Sequence, residues 1–379
     1  MVDKLDAFIE ESRKLIGKEV EESQPSYTTV HKKASDFFCL AIGSENTLFL
    51  DAAYGANSRY YCPLAPQTFL AAVRYPASEG AYCKEDYELA KFFTAAEFEW
   101  NDVIRWGDKF TTELKLTDVL EDIVENKRVA KPVSEGHYWR RNKDLVGTCK
   151  GTMSMIPFKR GEEMLSDRDI HVYSDDEIAR IVKDEDNEVY RGDATLYWEE
   201  VNEGDKLMPV VKGPVSHPDL FIWRGMIAPV NYCLEVMYRR TLKEPGKRRT
   251  NPVTNWPYWH ADLLQEDLFS CKLNGMTQMW IHGLQRVCFA EDLFTKWMSD
   301  DGFIRRLNIE ILKPFIYQDA NWYNGEIVDK YKERLGDVMY KAVDIKIDVT
   351  NQRGEKTASG DATVYLPSKG CEVKLPVPQ

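Results

Sequence analysis

The amino-acid sequence predicts an α+β fold that consists of two related halves. Three observations lead to this prediction. Each half begins with a helical segment and continues into a run of strand-like segments. The regular alternation of strands and helices that marks a parallel sheet is missing. A charged segment that is poor in aromatic residues, 161–192, separates the halves and has the composition of a linker.

The elements follow one another in the same order twice. Residues 1–24 predict a peripheral amphipathic helix, because apolar and charged residues alternate at helical spacing. The first half, 25–160, starts with the helical SDFFCLAIG and continues with strands such as FTTELKLTDVLED and LVGTCKGTMSMIPF. The linker carries one helix, SDDEIARIVKDE, with Ser174 as its expected N-cap. The second half, 193–370, ends in strand-like segments such as RRLNIEIL, AVDIKIDV and SGDATVYLP.

The second half also contains a long helix, predicted from Met276 to Met298. Its apolar residues spread around most of the circumference: Trp280, Leu284, Val287, Cys288, Phe289, Leu293, Phe294 and Trp297. A helix of this kind must be buried on nearly all sides. An antiparallel sheet wrapped around one long apolar helix is the hotdog arrangement, so the sequence predicts a double hotdog. We expect the two sheets to join edge to edge, since pairing removes exposed strand edges.

Composition and missing motifs exclude several classes of function. The 62 acidic and 50 basic residues give a net charge of -12, which argues against a nucleic-acid partner. No apolar stretch approaches the roughly 18 residues of a membrane span, and the charged N-terminus does not resemble a signal peptide, so we expect a cytoplasmic protein. The eight cysteines form no C-x-x-C pair and predict free thiols. Gly-x-Gly-x-x-Gly, Walker, Gly-x-Ser-x-Gly and His-x-x-x-His patterns are also missing, which argues against a nicotinamide oxidoreductase, a nucleotide hydrolase and a serine hydrolase.

Several segments resemble those of a known enzyme family. YWEEVNEGDKLMPVVKGPVSHPDLFIW, WMSDDGFIRRLNIEILKPFIYQDANWYNGEIV and NQRGEKTASGDATVYLPS resemble MaoC-like acyl dehydratases, which include R-specific enoyl-CoA hydratases. In the first half, AIGSENTLFLDAAY, CPLAPQTFL and YWRRNKDLVGTCKGT resemble the N-terminal, fatty-acid-synthase-type dehydratase domain of the double-hotdog members. The resemblance implies a lyase, an enoyl-CoA hydratase or 3-hydroxyacyl-CoA dehydratase, whose substrate is an acyl-CoA thioester. Such a lyase needs no metal or redox cofactor, and coenzyme A is part of its substrate. A homodimer of double hotdogs is compatible with it.

The family's catalytic pattern, Asp-x-Asn-Pro-x-His, points to different roles for the halves. In the first half the matching string has Ser44 in place of the aspartate and Phe49 in place of the histidine. The resemblance therefore implies a first half that shapes the acyl pocket, with Phe49 in its wall. In the second half His260 stands at the family histidine, but Asn255 replaces the aspartate. We expect His260 to be the acid-base group and Asn255 to orient it, with Asp262 as the alternative partner.

Further residues complete the predicted site. Gly275 precedes the central helix and is the candidate backbone donor to the enolate oxygen, although it could equally end the preceding segment. Aromatic residues near the catalytic string would suit a bulky or aromatic acyl group, or could belong to the core: Tyr258, Trp259, Trp280 and His282. The most basic stretch could bind the phosphates of coenzyme A, or form a charged surface loop: Arg239, Arg240, Lys247, Arg248 and Arg249. A hotdog thioesterase and a non-catalytic acyl-CoA-binding subunit are the alternative functions.

Overall fold

The fold is seen in a computed structural model. It describes residues 4–81, 89–124, 126–141, 143–157, 169–227, 248–250, 255, 257–259, 271, 275–276 and 278–378, with backbone only for 248–250 and 257–259.

Eight helices and thirteen strands are present in these residues. The helices are α1 (Lys4–Arg13), α2 (Lys32–Ile42), α3 (Thr47–Leu50), α4 (Ala52–Asn57), α5 (Leu70–Val73), α6 (Asp175–Asp186), α7 (His217–Ile227) and α8 (Gly283–Trp297). The strands are β1 (Leu64–Ala65), β2 (Leu89–Trp100), β3 (Ile104–Arg105), β4 (Phe110–Val124), β5 (Lys127–Arg140), β6 (Asp144–Pro157), β7 (Val210–Lys212), β8 (Arg248–Thr250), β9 (Pro257–Trp259), β10 (Phe303–Ile311), β11 (Asn321–Leu335), β12 (Val338–Asn351) and β13 (Lys356–Tyr365).

One continuous sheet of nine strands forms the frame of the molecule, in the order β4-β5-β6-β2-β10-β13-β12-β11-β7. In the first half, β2 lies at the centre of the sheet, and β6, β5 and β4 follow outward. In the second half, β10 lies at the centre, and β13, β12 and β11 follow outward in the same order. The two central strands, β2 and β10, pair antiparallel with Phe98 opposite Leu307 and Ala96 opposite Ile309. The predicted internal repeat and the edge-to-edge junction are therefore both present, and the junction leaves no free edge between the halves.

The long helix of the second half is α8, and the prediction that it is buried is confirmed. Every residue from Leu284 to Thr295 is buried. Its predicted start at Met276 was wrong, because the chain before Gly283 pairs as an extended segment. The backbone N–H of Ile281 donates to the carbonyl of Phe315 at 2.7 Å, and Trp280 forms a β-bridge with Ile316.

The first half fills its side of the sheet with a much shorter helical segment. A 3₁₀ turn, Gln67–Phe69, runs directly into α5, and the residues from Phe69 to Val73 have no exposed surface. Pro76 limits this segment, since proline and the residue before it do not continue a helix. The chain lies very close to the sheet at this point: a Cβ atom on Gly151 of β6 would be 2.3 Å from the carbonyl oxygen of Pro76.

The peripheral elements largely match their predictions. The N-terminal amphipathic helix is α1, with Leu5, Phe8 and Ile9 buried, although it ends at Arg13. The linker helix is α6, and Ser174 caps it in a capping box with Glu177. Within the described part of the chain, no helix has the length and apolar character needed to cross a membrane. Its six cysteines are free thiols.

A buried ion network joins the linker to both halves. Asp292 of α8 has almost no exposed surface, and its carboxylate accepts from Lys212 Nζ at 2.8 Å and from the Tyr190 hydroxyl at 2.5 Å. Lys296, one turn further along α8, lies 3.1 Å from the same carboxylate. Lys212 also donates to the carbonyl of Gly43 in the first half at 2.8 Å. Burial alone would raise the pKa of Asp292, but the two lysines hold it below its usual value.

Candidate active site at the first turn of helix α8

Helix α8 begins directly on the backbone of the central strand β2. A Cβ atom on Gly283 would lie 2.2 Å from the carbonyl oxygen of Phe93, so only glycine fits there without a shift of the backbone. The amides of a first helical turn have no partner within the helix and point toward its N-terminus, where the peptide dipoles add. The contact with β2 thus places a set of backbone donors at the junction of the two halves.

The side chain of His282, the residue before Gly283, lies among aromatic rings beside these donors. Its ring centroid is 5.5 Å from that of Tyr75, 6.2 Å from Trp223 and 6.5 Å from Phe93. The imidazole does not cap the helix. Its Nδ1 atom is buried and has no hydrogen-bond partner among the described residues. Most buried polar atoms are paired, so this nitrogen has capacity to bond a ligand or a water molecule.

Burial keeps His282 neutral. The apolar surroundings, with a smaller contribution from the positive charge of Arg224, lower the pKa of the imidazole to about 3. A neutral imidazole offers one donor and one acceptor nitrogen and does not carry an extra proton at physiological pH. His282 is therefore suited to hydrogen bonding to a substrate and not to serving as a proton donor.

This low pKa predicts a loss of stability in acid. Unfolding returns the histidine to its ordinary value of 6.5, so the unfolded state takes up a proton that the folded state refuses as the pH falls from 6.5 toward 3. The stability that depends on a neutral His282 is fully present above pH 6.5. Near pH 4 we expect roughly 3 kcal/mol of the unfolding free energy to be lost. Urea unfolding of wild type and His282→Phe at pH 7 and pH 4 measures it. The wild type should lose more stability than the variant, whereas His137→Phe, at a half-exposed site on β5, should behave like wild type. Equal losses in wild type and His282→Phe would contradict the prediction.

Both halves contribute rings around this histidine, and we call the whole group the aromatic cluster. Its members are Tyr75, Phe93, Trp223 and His282. Trp280, which is 6% exposed, contacts a different ring, with its centroid 5.7 Å from that of Phe92. Of these two predicted substrate-binding residues, His282 belongs to the aromatic cluster and Trp280 belongs to a separate pair. The cluster as a whole was not predicted, because three of its members are widely separated from the catalytic string in sequence.

Phe49 lies elsewhere. It borders a cavity of about 30 Å³ together with Asn46, Gln67, Glu291 and Thr295. Glu291 follows His282 by nine residues, which is about 13 Å along the helix. The counterpart of the catalytic string in the first half therefore borders a space of about the size of one water molecule, well away from the aromatic cluster.

Glu291 is a buried acid that the sequence analysis did not single out. Its carboxylate accepts from the backbone amides of Gln67 at 2.5 Å and Thr68 at 2.9 Å, and from the Thr68 hydroxyl. It is 1% exposed, and burial raises its pKa to about 7 despite these donors. Both carboxylate oxygens are occupied at the start of the short helical segment of the first half. The sequence contained one indication of this buried acid, because Glu291 is a charged residue within the apolar pattern of α8.

Only some of the remaining predicted site residues lie in the part of the chain that the structure describes. Arg239, Arg240, Lys247, His260 and Asp262 lie outside the described residues, so their roles stay predictions. Asn255 is exposed and has a left-handed backbone with φ 57, a conformation that asparagine tolerates. Strands β8 and β9 pair Arg248 with Trp259 and Arg249 with Tyr258, which brings the backbones of two predicted phosphate contacts beside two predicted acyl contacts.

Gly275 does not lie at the start of the helix. It is buried, with φ 74, and precedes the first residue of α8 by eight positions. Gly275 was predicted to donate to the enolate oxygen because a backbone amide at a helix N-terminus stabilises negative charge. A backbone amide at that place is supplied instead by Gly283, the first residue of α8, which the sequence analysis did not single out.

Comparisons with known proteins agree with the predicted fold. Residues 14–128 match the family described as FAS1-like, dehydratase domain region. A solved structure named MaoC-like dehydratase is 17% identical, with a TM-score of 0.59, over 92% of this chain and 98% of its own. A putative MaoC domain protein dehydratase from Chloroflexus aurantiacus J-10-fl is 11% identical, with a TM-score of 0.54, over 93% and 95%. A comparison with curated proteins found no match.

A further similar structure is described as a double hotdog. It is a conserved hypothetical protein of Mycobacterium tuberculosis described as having a double hotdog fold, 11% identical, with a TM-score of 0.50, over 91% of this chain and 95% of its own. The double hotdog is therefore confirmed. The resemblance of the first half to a fatty-acid-synthase-type dehydratase domain is confirmed as well, by the match over residues 14–128.

Proposed function

We propose that the protein is a hydro-lyase that interconverts a 2-enoyl-CoA thioester and the corresponding 3-hydroxyacyl-CoA. The observation that carries this proposal is the first turn of α8, where backbone amides without a partner inside the helix lie beside a neutral imidazole whose Nδ1 has no partner among the described residues. The dehydratase-region match and the dehydratase-like fold of the whole chain support it. Coenzyme A enters as part of the substrate, and the basic stretch that includes Arg248 and Arg249 is the proposed phosphate contact.

The reaction needs two separate functions from the protein. A base removes a proton from water as the water oxygen bonds to the β-carbon, and an acid delivers a proton to the α-carbon as the carbon–carbon double bond is lost. Meanwhile negative charge develops on the thioester oxygen. We assign the proton transfers to His260, with Asn255 or Asp262 as its partner, and the stabilisation of the oxygen to the amides at Gly283. His282, being neutral, would donate a hydrogen bond from its one imidazole N–H to the same oxygen.

The halves differ in what they can contribute. Phe49 and Asn46 border a cavity of about 30 Å³ whose lining includes none of the rings around His282. This supports a division of labour in which the chemistry belongs to the second half. The first half would contribute two rings, Tyr75 and Phe93, to the wall of the acyl site.

Neither alternative function has a specific observation in its favour. A thioesterase that used an acid of the central helix would need an accessible carboxylate. The oxygens of Glu291 are occupied by backbone and hydroxyl donors, and those of Asp292 by Lys212 and Tyr190.

A spectrophotometric assay tests the proposal. Purified protein mixed with an enoyl-CoA should remove the absorbance of the conjugated thioester without releasing free thiol, because water adds across the double bond and the thioester stays intact. A thiol reagent in a parallel reaction detects hydrolysis. Release of thiol in step with the loss of absorbance would identify a thioesterase, and no change in either signal across a panel of acyl chains would favour a binding subunit.

A further inference from the structure

Trp223 of α7 presents a buried hydrogen-bond donor next to His282. Its ring centroid is 6.2 Å from that of the imidazole, and the two ring planes are inclined at 46°. Trp223 is 1% exposed, and its indole Nε1 has no hydrogen-bond partner among the described residues. An indole N–H can only donate. A buried donor without an acceptor is costly, so this N–H needs a partner in the folded protein.

Gln285 presents a buried acceptor in the first turn of α8. Its side-chain Nε2 donates to the carbonyl of Ala41 on α2 at 2.9 Å and to the carbonyl of Asp219 on α7 at 3.0 Å. Both amide hydrogens are therefore in use, which fixes the end of the amide that carries the oxygen. That oxygen, Oε1, is buried and has no partner in the part of the chain that the structure describes.

The contacts bring both groups to the side of α8 that carries the His282 ring. His282 and Gln285 are three positions apart, and the carbonyl of His282 already accepts from the helical amide of Arg286 at 3.1 Å, so their side chains lie on one face. Both face α7: the His282 ring contacts Trp223, and Gln285 bonds to Asp219, one turn earlier on the same helix. No direct hydrogen bond joins the three side chains to one another.

One water molecule would satisfy all three atoms. It would accept from Trp223 Nε1 and donate its two hydrogens to Gln285 Oε1 and His282 Nδ1, and three partners are typical of a buried water. With the ring proton on Nδ1, the water would accept twice and keep one hydrogen without an acceptor among these groups. The hydroxyl of Tyr75 is directed elsewhere, to Met153 Sδ at 3.7 Å. The arrangement therefore favours Nδ1 as an acceptor and places the ring proton on Nε2.

We propose that a buried water molecule bridges Trp223, Gln285 and His282, and that Trp223 and Gln285 are positioning residues that hold the His282 ring with its Nε2–H directed away from α7. This inference rests on the proposed function and deepens it, because Nε2–H then becomes the donor to the thioester oxygen. Neither positioning residue would contact the substrate.

A crystal structure at a resolution that shows ordered water tests the bridge. We expect one water oxygen at about 2.7–3.2 Å from each of Trp223 Nε1, Gln285 Oε1 and His282 Nδ1. A site without this water, or with a protein atom in its place, would overturn the proposal. Nitrogen-15 NMR of protein labelled in histidine reports the tautomer, and the His282 signals are those lost in His282→Phe. The proton should be on Nε2, and a proton on Nδ1 would also overturn the proposal.

Trp223→Phe removes the donor and keeps an aromatic ring. The His282 Nδ1 signal should move toward that of a nitrogen without a hydrogen bond, because the water loses one of its three partners. We expect kcat on an enoyl-CoA to fall about tenfold, as for one neutral hydrogen bond, with little change in KM. Trp106→Phe is the matched control, since Trp106 Nε1 is also buried without a partner among the described residues but lies outside the aromatic cluster. It should leave kcat and the His282 signals unchanged.

The structural and NMR measurements need no substrate, so they separate this inference from the proposed function. If the water and the tautomer are as expected but no enoyl-CoA is hydrated, the bridge stands and the proposed function fails. If the protein hydrates an enoyl-CoA and folded Trp223→Phe has the kcat and the Nδ1 signal of wild type, the function stands and the positioning role is overturned.

Discussion

Replacement of His260 by alanine should lower turnover by about two to four orders of magnitude, while substrate binding changes little. This is the range for removing a general acid-base group, and it follows from assigning both proton transfers to one imidazole. Steady-state kcat and KM on an enoyl-CoA substrate measure the effect. His137→Ala, at a half-exposed position on β5, should retain wild-type turnover and controls for the substitution itself.

The partner of His260 is identified by two further variants. Asn255→Asp restores the acid of the family pattern and should keep or raise hydration, because a carboxylate can share proton transfer where an amide cannot. Asp262→Asn should have a small effect if Asn255 is the partner. A loss as large as that of His260→Ala, with an unchanged fold, would transfer the carboxylate role to Asp262. Near-normal turnover in His260→Ala itself would contradict the mechanism.

Replacement of Asp292 by asparagine should destabilise the protein by about 3–5 kcal/mol. The substitution preserves the shape of the side chain but removes the negative charge that lies 2.8 Å from Lys212 Nζ and 3.1 Å from Lys296 Nζ. Lys212 would then be buried without an ionic partner, and the contact that joins the linker, β7 and the first half would weaken. Chemical denaturation of the two proteins at pH 7 measures the change in unfolding free energy.

Asp36→Asn is a matched control for this second prediction. Asp36 also pairs with a lysine one helical turn away, Lys32, at 2.7 Å, but both side chains are exposed. Exposed pairs of this kind contribute about 0.3–0.5 kcal/mol, so the control should be nearly neutral. A small effect in both variants would show that the buried network does not hold the halves together.

The fold was largely predictable because its main signals are periodic and long. Strands β10 to β13 are nine to fifteen residues long and rich in apolar positions, and α8 is apolar around most of its circumference, so both kinds of element are recognisable from their own segments. The start of α8 was not predictable. Residues 279–281 have helix-compatible side chains, but Phe315 and Tyr317, more than thirty positions away, hold their backbone in an extended pairing.

The candidate site was predictable only where one local segment contributes several residues. Trp280, His282 and Gly283 are close in sequence, and Trp280 and His282 were among the predicted acyl contacts. Tyr75 and Trp223 reach the ring of His282 from other elements, and nothing in their own sequence neighbourhoods distinguishes them from core residues.

The central claim is that the protein is a hydro-lyase. It is tested most directly by the position at which the oxygen of water enters the product. An enoyl-CoA substrate incubated with the protein in water enriched in oxygen-18, then analysed by mass spectrometry, reports which bond the water oxygen forms. A hydro-lyase predicts an intact coenzyme A thioester, heavier than the substrate by one labelled water, with the label on the β-carbon. Free coenzyme A together with a carboxylic acid that carries the label in its carboxyl group would contradict the account and establish thioester hydrolysis instead.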